Sequence, residues 1–298
     1  MKLDSKRVLV TGASGSLGWA LSRCLLPGCE VVATYDSHPS VPEGTEALRL
    51  DLSDKEALGD LLRQNKPDLI FHCAAVTDPD ECEQDSRRAM RVNFEATQEI
   101  ARLARDMGSR LVFTSTDLVF DGSQGDYRET DAARPLGVYG TSKLRAEEAV
   151  LNTGPSNLVV RSSLIYGKGS PSRGTFLTGL IETLAGGGRI KLFTDQRRNP
   201  ILVEDYARAL IIAVERDLDG IYHIAGDEAL SRFEFGRLVC RAFGYDEALL
   251  EAISMEDFDY VAARPLDSTL NTGKFTSATG FNPARIAEAL AGLAREAP

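Results

Sequence analysis

The stretch that most restricts what this chain can fold into lies at its start. Five β-prone residues, Arg7-Val8-Leu9-Val10-Thr11, run directly into Gly12-Ala13-Ser14-Gly15-Ser16-Leu17-Gly18 and then into a helical segment, Trp19 to Leu26. A strand that turns on glycines into a helix opens a βαβ unit. Glycines permit a tight turn and close approach of the backbone. The helix behind them offers free N–H groups and a positive dipole end to a pyrophosphate. The spacing is Gly-x-x-Gly-x-x-Gly rather than Gly-x-Gly-x-x-Gly, so taken alone the turn could be purely structural.

The next segments continue the alternation. Glu30 to Tyr35 reads as a second strand. An acidic residue at its end would accept the ribose hydroxyls of NAD, whereas a basic one would favour NADP. Asp36 is near that position, but Ser37 and His38 could instead face a 2′-phosphate, so NAD or NADP is left open. Ala47 to Leu52 is a third strand, followed by Ser53 and Glu56 as a capping box. Asp68 to Ala75 is a fourth and nearly all apolar, as in a parallel sheet covered on both faces. Its small residues Ala74 and Ala75 leave room for a flat ligand, and His72 reads as a core residue. One long helix is expected from about residue 80 to 107, carrying Asn93. Arg110 to Ser115 is a fifth strand, leading into Thr116 and Asp117. Pro135 suits the first turn of the following helix, which continues to about Leu151.

That helix carries Tyr139 and Lys143. Positions i and i+4 share a helix face. A Lys cation about 4 Å from a phenol, at an effective dielectric of about 20, favours the phenolate by roughly 4 kcal/mol, or about 3 pKa units at most. The expectation is a Tyr drawn down from ~10 into the range of acid–base work.

Leu158 to Arg161 is a sixth strand. After Gly167 the pattern changes to a polar loop, a helix over 175–185, a glycine stop at 186–188 and a short strand over 189–193. Arg197 and Arg198 could pair with a diphosphate. A helix over 204–216 precedes a strand over 220–225 that should rejoin the main sheet, with His223 packed inside it. Helices over 233–243 and 284–294 follow. The expected architecture is α/β: a doubly wound parallel sheet of the NAD(P)-binding Rossmann type with a small C-terminal α/β substrate lobe. Residues 1–166 form the dinucleotide half, with 200–225 returning to it. Residues 167–199 and 226–298 form the lobe.

The charge balance, 34 basic against 44 acidic residues for a net −10, argues against a general nucleic-acid or anionic-membrane surface. No apolar run reaches the ~20 residues of a membrane helix, and the first residues are too polar for a signal peptide. Five scattered Cys without a CxxC pair read as reduced thiols of a cytoplasmic protein. Three distant His give no metal site.

Val10 to Gly18, Ser115-Thr116-Asp117, Tyr139-Gly140-x-x-Lys143 and Arg161 to Gly167 together resemble the extended short-chain dehydrogenase/reductase superfamily. Asp117 to Gly122, Tyr127-Arg128-Glu129, Asp195-Gln196 with Pro200, and Arg264-Pro265 with Ser268 and Leu270 are similar to one branch of it. That branch holds the dTDP-4-dehydrorhamnose reductases and the regulatory β subunit of methionine adenosyltransferase. The likeness spans essentially the whole chain. It implies an NAD(P)H-dependent reduction of a keto group on a nucleotide-linked sugar. Thr116 would bond the substrate oxygen, Tyr139 would donate the proton, and Lys143 would bind the nicotinamide ribose and lower the Tyr pKa. Gly12, Ser14, Gly15, Ser16, Leu17 and Gly18 match the phosphate loop, Asp51 and Leu52 an adenine contact, Ala74 and Ala75 the wall beside the cofactor. Thr77, Asn93, Leu118, Leu164 and Arg197 are expected toward the substrate, Asn93 as a structural or proton-relay residue. Leu118 and Leu164 stand where the rhamnose reductases usually have Tyr and Trp. The implied alternatives are a non-catalytic NAD(P)-binding regulatory subunit and a sugar-nucleotide epimerase. A dehydratase is disfavoured, because Leu118 stands where a second acid would be. Whether the chain forms a homodimer is left open.

Overall fold

The computed structural model describes residues 1–296. The first half contains β1 (Arg7–Thr11), α1 (Ser16–Leu25), β2 (Glu30–Tyr35), β3 (Glu46–Arg49), α2 (Lys55–Asn65) and β4 (Leu69–His72). Then come α3 (Pro79–Gln84), α4 (Ser86–Ala89), a π-helical turn over Met90–Glu95, α5 (Ala96–Met107), β5 (Arg110–Thr116), α6 (Val138–Thr153) and β6 (Leu158–Ser162). The second half contains β7 (Ile165–Tyr166), α7 (Phe176–Ala185), β8 (Ile190–Phe193), β9 (Arg197–Arg198), β10 (Ile201–Leu202), α8 (Val203–Glu215) and β11 (Gly220–Ile224). It ends with β12 (Leu230–Ser231), α9 (Arg232–Phe243), β13 (Leu250–Ile253), α10 (Gly273–Thr279) and α11 (Ile286–Arg295).

Seven strands form one sheet in the order β11-β6-β5-β4-β1-β2-β3, every pair parallel. The chain winds outward from β1 in both directions, so the strand order reverses between β1 and β4. A crevice at the carboxyl ends of the strands is expected there. The central strands are apolar on both faces because both are covered. Val8, Val10 and Phe71 pack with Leu21, Leu25 and Leu210 of α1 and α8. Leu9, Ile70 and Phe113 face the other way, onto Leu58, Ile100 and Val150 of α2, α5 and α6. The period-2 alternation of a strand thus feeds two separate cores. The lobe has a third core, in which Leu192, Phe235, Val239 and Leu290 meet under α7, α9 and α11.

Local chemistry moves several expected boundaries. The helix over 80–107 is not continuous. The Asp85 carboxylate accepts from Arg88 N at 2.9 Å, restarting the helix, and the π-helical turn carries Asn93. The cap of α2 is Asp54 rather than Ser53: its carboxylate accepts from Glu56 N at 3.1 Å and Ala57 N at 3.0 Å. Ser53 N donates instead to Asp51 at 2.8 Å. Pro135 lies ahead of α6, whose N-cap is Gly137. The glycines after α7 end it as expected, with Gly187 at φ 73°. Among the described residues no helix is long and apolar enough to cross a membrane, and no group of His, Cys, Asp or Glu is placed to hold a metal.

Both strand histidines are core residues. His72 bonds Thr11 Oγ1 through Nδ1 at 2.7 Å and Thr97 Oγ1 through Nε2 at 2.9 Å. His223 bonds the Tyr127 carbonyl through Nδ1 at 3.0 Å. Burial first, then a neighbouring cation, pushes each imidazole down to about 3. Between about pH 6.5 and 3 the unfolded chain therefore binds more protons than the folded one, and stability falls as pH falls through that window. At about pH 5 the loss is about 2 kcal/mol for each imidazole. Urea unfolding at pH 7 and pH 5 should show it; equal stabilities would mean that the rings reach solvent.

Candidate functional site

A cleft of ≈ 1000 Å³ opens at the carboxyl ends of the strands, across the β1/β4 reversal. Its floor is built by close backbone approach. Gly12 has φ +68°, and a Cβ there would lie 2.8 Å from Ala74 Cα. A Cβ on Gly18 would lie 2.3 Å from the Gly12 carbonyl oxygen. Only glycine lets the turn rest on the end of β4 while α1 packs down over the turn. Thr11 holds the other side of the reversal, its hydroxyl accepting from Cys73 N at 3.1 Å and Ala74 N at 3.2 Å. No side chain caps α1, so its first N–H groups are left for an anion. The lobe closes over this turn: Ser170 and Ser172 hydroxyls donate to the Ser14 carbonyl at 2.5 and 2.9 Å. Gly12→Ala is expected to cost about 1–3 kcal/mol of stability for the left-handed backbone alone, and to weaken dinucleotide binding. Urea unfolding and a fluorescence titration with NADH read the two effects.

Gly12, Ser14, Gly15, Ser16, Leu17, Gly18, Ala74 and Ala75 all line the cleft. So do Asp36, directly after β2, and Asp51 and Leu52, after β3. The Ser53 N–H, then its hydroxyl, holds the Asp51 carboxyl below the usual range. Toward β5 the lining includes Thr77, Thr116, Leu118, Tyr139, Lys143 and Leu164.

Tyr139 and Lys143 are both buried, and here the structure corrects an expectation. Burial pushes the Tyr139 phenol up from its ordinary value; the Thr116 hydroxyl opposes that rise and the Asp117 carboxylate adds to it. Lys143 does not pull it down. Its ammonium sits 4.1 Å from the Phe113 ring centroid, and Glu147, one turn further on, is the carboxylate that works on it. Burial lowers Lys143 to about 8 against that carboxylate. Tyr139 is therefore held protonated at neutral pH, the form that can give a proton. Glu147 is in turn tied to Arg161 by bonds of 2.7 to 3.1 Å and accepts from Ser115 Oγ.

Two expected substrate residues lie elsewhere. Asn93 does not line the cleft: its amide oxygen accepts from Val76 N at 2.9 Å, and its NH₂ donates to Val76 O at 3.0 Å and Ser142 Oγ at 3.1 Å. With both ends used, it braces α6 and the segment after β4 rather than meeting a ligand. Arg197 points away, donating to the Ala229 carbonyl at 2.8 Å and approaching Glu234 at 3.7 Å. Its neighbour Arg198 faces the cleft, because adjacent strand residues point to opposite sides.

Sequence reasoning missed the companions of Arg198. Arg232 and Arg264 also line the cleft, and Arg198 Nε, Arg232 Nη1 and Arg264 Nη1 are buried without a hydrogen-bond partner among the described residues. Burial, with the Arg198 charge adding to it, pulls Arg232 down to about 9. A capping box marks the start of α9: Ser231 N donates to Glu234 at 2.7 Å and Glu234 N to Ser231 Oγ at 3.1 Å. That motif, Ser231-x-x-Glu234, is legible in the sequence. What Arg232 faces is not, since three segments far apart in the chain supply the cluster.

The glycine turn, the buried phenol and the arginine cluster lie within one cleft. The model described as the RmlD substrate binding domain matches residues 6–297. This chain belongs to that family. Relatives span almost its whole length. It is 35% identical over 289 residues to a probable low-salt glycan biosynthesis reductase of Haloferax volcanii, covering 95% of this chain and 96% of that one. It is 33% identical over 288 residues to the dTDP-4-dehydrorhamnose reductase of Mycobacterium tuberculosis, covering 94% and 90%. It is also 31% identical over 278 residues to methionine adenosyltransferase 2 subunit beta of Xenopus laevis, covering 91% and 82%. Among solved structures, the dTDP-4-dehydrorhamnose reductase of Bacillus anthracis in complex with NADP is similar with a TM-score of 0.86 at 26% identity, covering 98% of this chain and 100% of that one. MoeE5 in complex with UDP-glucose and NAD is similar with a TM-score of 0.83 at 27% identity, covering 97% of each. Solved structures that hold NADP or NAD thus share this fold.

Proposed function

We propose that this RmlD-family chain is an NAD(P)-dependent reductase of a keto group on a nucleotide-linked sugar, with dTDP-4-dehydrorhamnose or a close analogue as substrate. The observation that carries the reading is the buried Tyr139, which shares with Thr116 and Lys143 the end of a cleft whose other end is a glycine cradle. The cradle fits a dinucleotide, since the glycines let the turn pack down on the end of β4 and leave the uncapped start of α1 open to a pyrophosphate. Gly12 to Gly18 would hold the pyrophosphate, Asp36, Asp51 and Leu52 the adenosine end, Ala74, Ala75 and Lys143 the nicotinamide half. When bound, the dinucleotide supplies the hydride. Tyr139 donates its proton to the oxygen of the reduced carbonyl, and Thr116 lines the cleft beside it. Arg198, Arg232 and Arg264 bind the diphosphate of the substrate, which completes their unpaired N–H groups. Leu118 and Leu164 give the sugar subsite an apolar wall where stacking rings are usual in the branch. Five free thiols suit a reducing, cytoplasmic setting.

The test is turnover of dTDP-4-dehydrorhamnose by the purified chain with NADPH and with NADH, followed by the loss of reduced-cofactor absorbance. Turnover with one cofactor preferred is the expected result. Tight cofactor binding without turnover of any keto-sugar nucleotide would overturn the reductase. It would favour a regulatory subunit, a reading that rests on the similarity to methionine adenosyltransferase 2 subunit beta.

A further inference from the structure

We propose that Asp117 is a positioning residue for proton donation, holding the Thr116 hydroxyl in its resting orientation and linking it to the arginines of the substrate lobe. The inference rests on the reading of Tyr139 as proton donor.

The carboxylate of Asp117 is 1% exposed and takes four hydrogen bonds. Oδ1 accepts from Thr116 Oγ1 at 3.2 Å and Arg198 Nη1 at 3.2 Å. Oδ2 accepts from Ser163 Oγ at 3.2 Å and Ser268 Oγ at 2.9 Å. Four donors fill the acceptor sites of a carboxylate, so Asp117 has no capacity left for a substrate atom. The donors come from the end of β5, the turn after β6, β9 and the segment after Pro265. These are the parts of the chain that meet at the catalytic end of the cleft.

Thr116 has one hydrogen and two lone pairs. Its hydrogen goes to Asp117, and one lone pair accepts from Leu118 N at 3.2 Å. Thr116 and Tyr139 line the same cleft, and a Thr116 hydroxyl that donates to the phenol oxygen favours the phenolate. In the reaction the Tyr139 Oη–H bond breaks and an O–H bond forms on the substrate oxygen. The phenolate left behind needs a donor. Thr116 supplies it by rotating its hydrogen from Asp117 to Tyr139 Oη, and no further proton changes owner. Asp117 retains Arg198 and two serines while Thr116 is turned away. An anionic substrate at Arg198 and Arg232 shares that guanidinium with Asp117, so filling of the lobe is felt at Thr116.

The charged and titratable groups around Tyr139 are Asp117, Arg198 of β9, Cys82 of α3, Tyr206 of α8 and, one turn along α6, Lys143. Asp117 is the carboxylate among them, so its charge can be tested by sign. The experiment measures kcat and KM for the full chain, Asp117→Asn and Ser268→Ala, with NADPH and dTDP-4-dehydrorhamnose. Asn keeps an oxygen for Thr116 and Arg198 but removes the charge. The expected result for Asp117→Asn is a kcat lowered about tenfold, the worth of one charge-assisted hydrogen bond. Its KM should be unchanged or lower, because Arg198 is released to the anion. The affinity for dTDP, titrated by calorimetry, should rise in Asp117→Asn for the same reason and change less in Ser268→Ala, which keeps the charge. That readout needs no turnover, so it decides the matter even if the reductase reading fails. A kcat and KM that worsen together, with no gain in dTDP affinity, would mean a merely structural Asp117 and overturn the proposal, as would an unchanged kcat in Asp117→Asn.

Discussion

Tyr139→Phe is expected to lower turnover by about 10²–10⁴-fold while leaving dinucleotide affinity unchanged. The substitution removes one hydroxyl and little else. The ring stays packed with Val76, Cys82 and Ala89, so the fold and the cradle at the far end of the cleft are undisturbed. The lost group is the one burial keeps protonated. Without it the forming alkoxide must take its proton from water or from Thr116, whose hydrogen is engaged with Asp117 at 3.2 Å. The measurement pairs single-turnover kinetics with an NADH titration. Turnover within a few-fold of the parent would show that another group delivers the proton.

Arg161→Ala is expected to destabilise the protein by about 3–5 kcal/mol. Arg161 and Glu147 are 3% and 1% exposed, and removing the guanidinium leaves a buried carboxylate with only Ser115 as partner. The penalty is that uncompensated charge rather than the net worth of the pair. Replacing both residues by apolar ones of similar volume should therefore cost less than either single change, and urea unfolding of the three variants completes the cycle. The pair also matters to chemistry. It fixes α6 against β5 and β6, and α6 carries Tyr139 and Lys143. A double variant as unstable as Arg161→Ala would show that the pair is held by packing instead.

Comparison of the chain with its structure separates two kinds of information. The strand–glycine–helix opening, the apolar central strands and the i, i+4 placement of Tyr139 and Lys143 were legible as local pattern. Each depends on residues within a few positions of one another. The expectations that failed depended on what lies across space. Lys143 shares a helix face with Tyr139, yet its charge is engaged by Phe113 and Glu147. Of the two roles expected for Asn93 the structural one holds and the place toward the substrate does not, since the break at Asp85 and the π-helical turn aim its amide at Val76 and Ser142. The choice between Arg197 and Arg198 turned on the facing of a two-residue strand, a single-residue register that no periodicity could report.

By itself the sequence determined the class of fold, the place of the glycine turn after β1 and the helix that carries Tyr139 and Lys143 into the cleft. Glycine spacing and hydrophobic period are properties of the chain read locally, and backbone sterics translate them directly into structure. Only the tertiary structure decided the direction in which the Tyr139 phenol is shifted and the make-up of the arginine cluster. A pKa is set by burial and by charges within a few ångströms, and Arg198, Arg232 and Arg264 approach one another only after the lobe folds back over the carboxyl ends of the sheet.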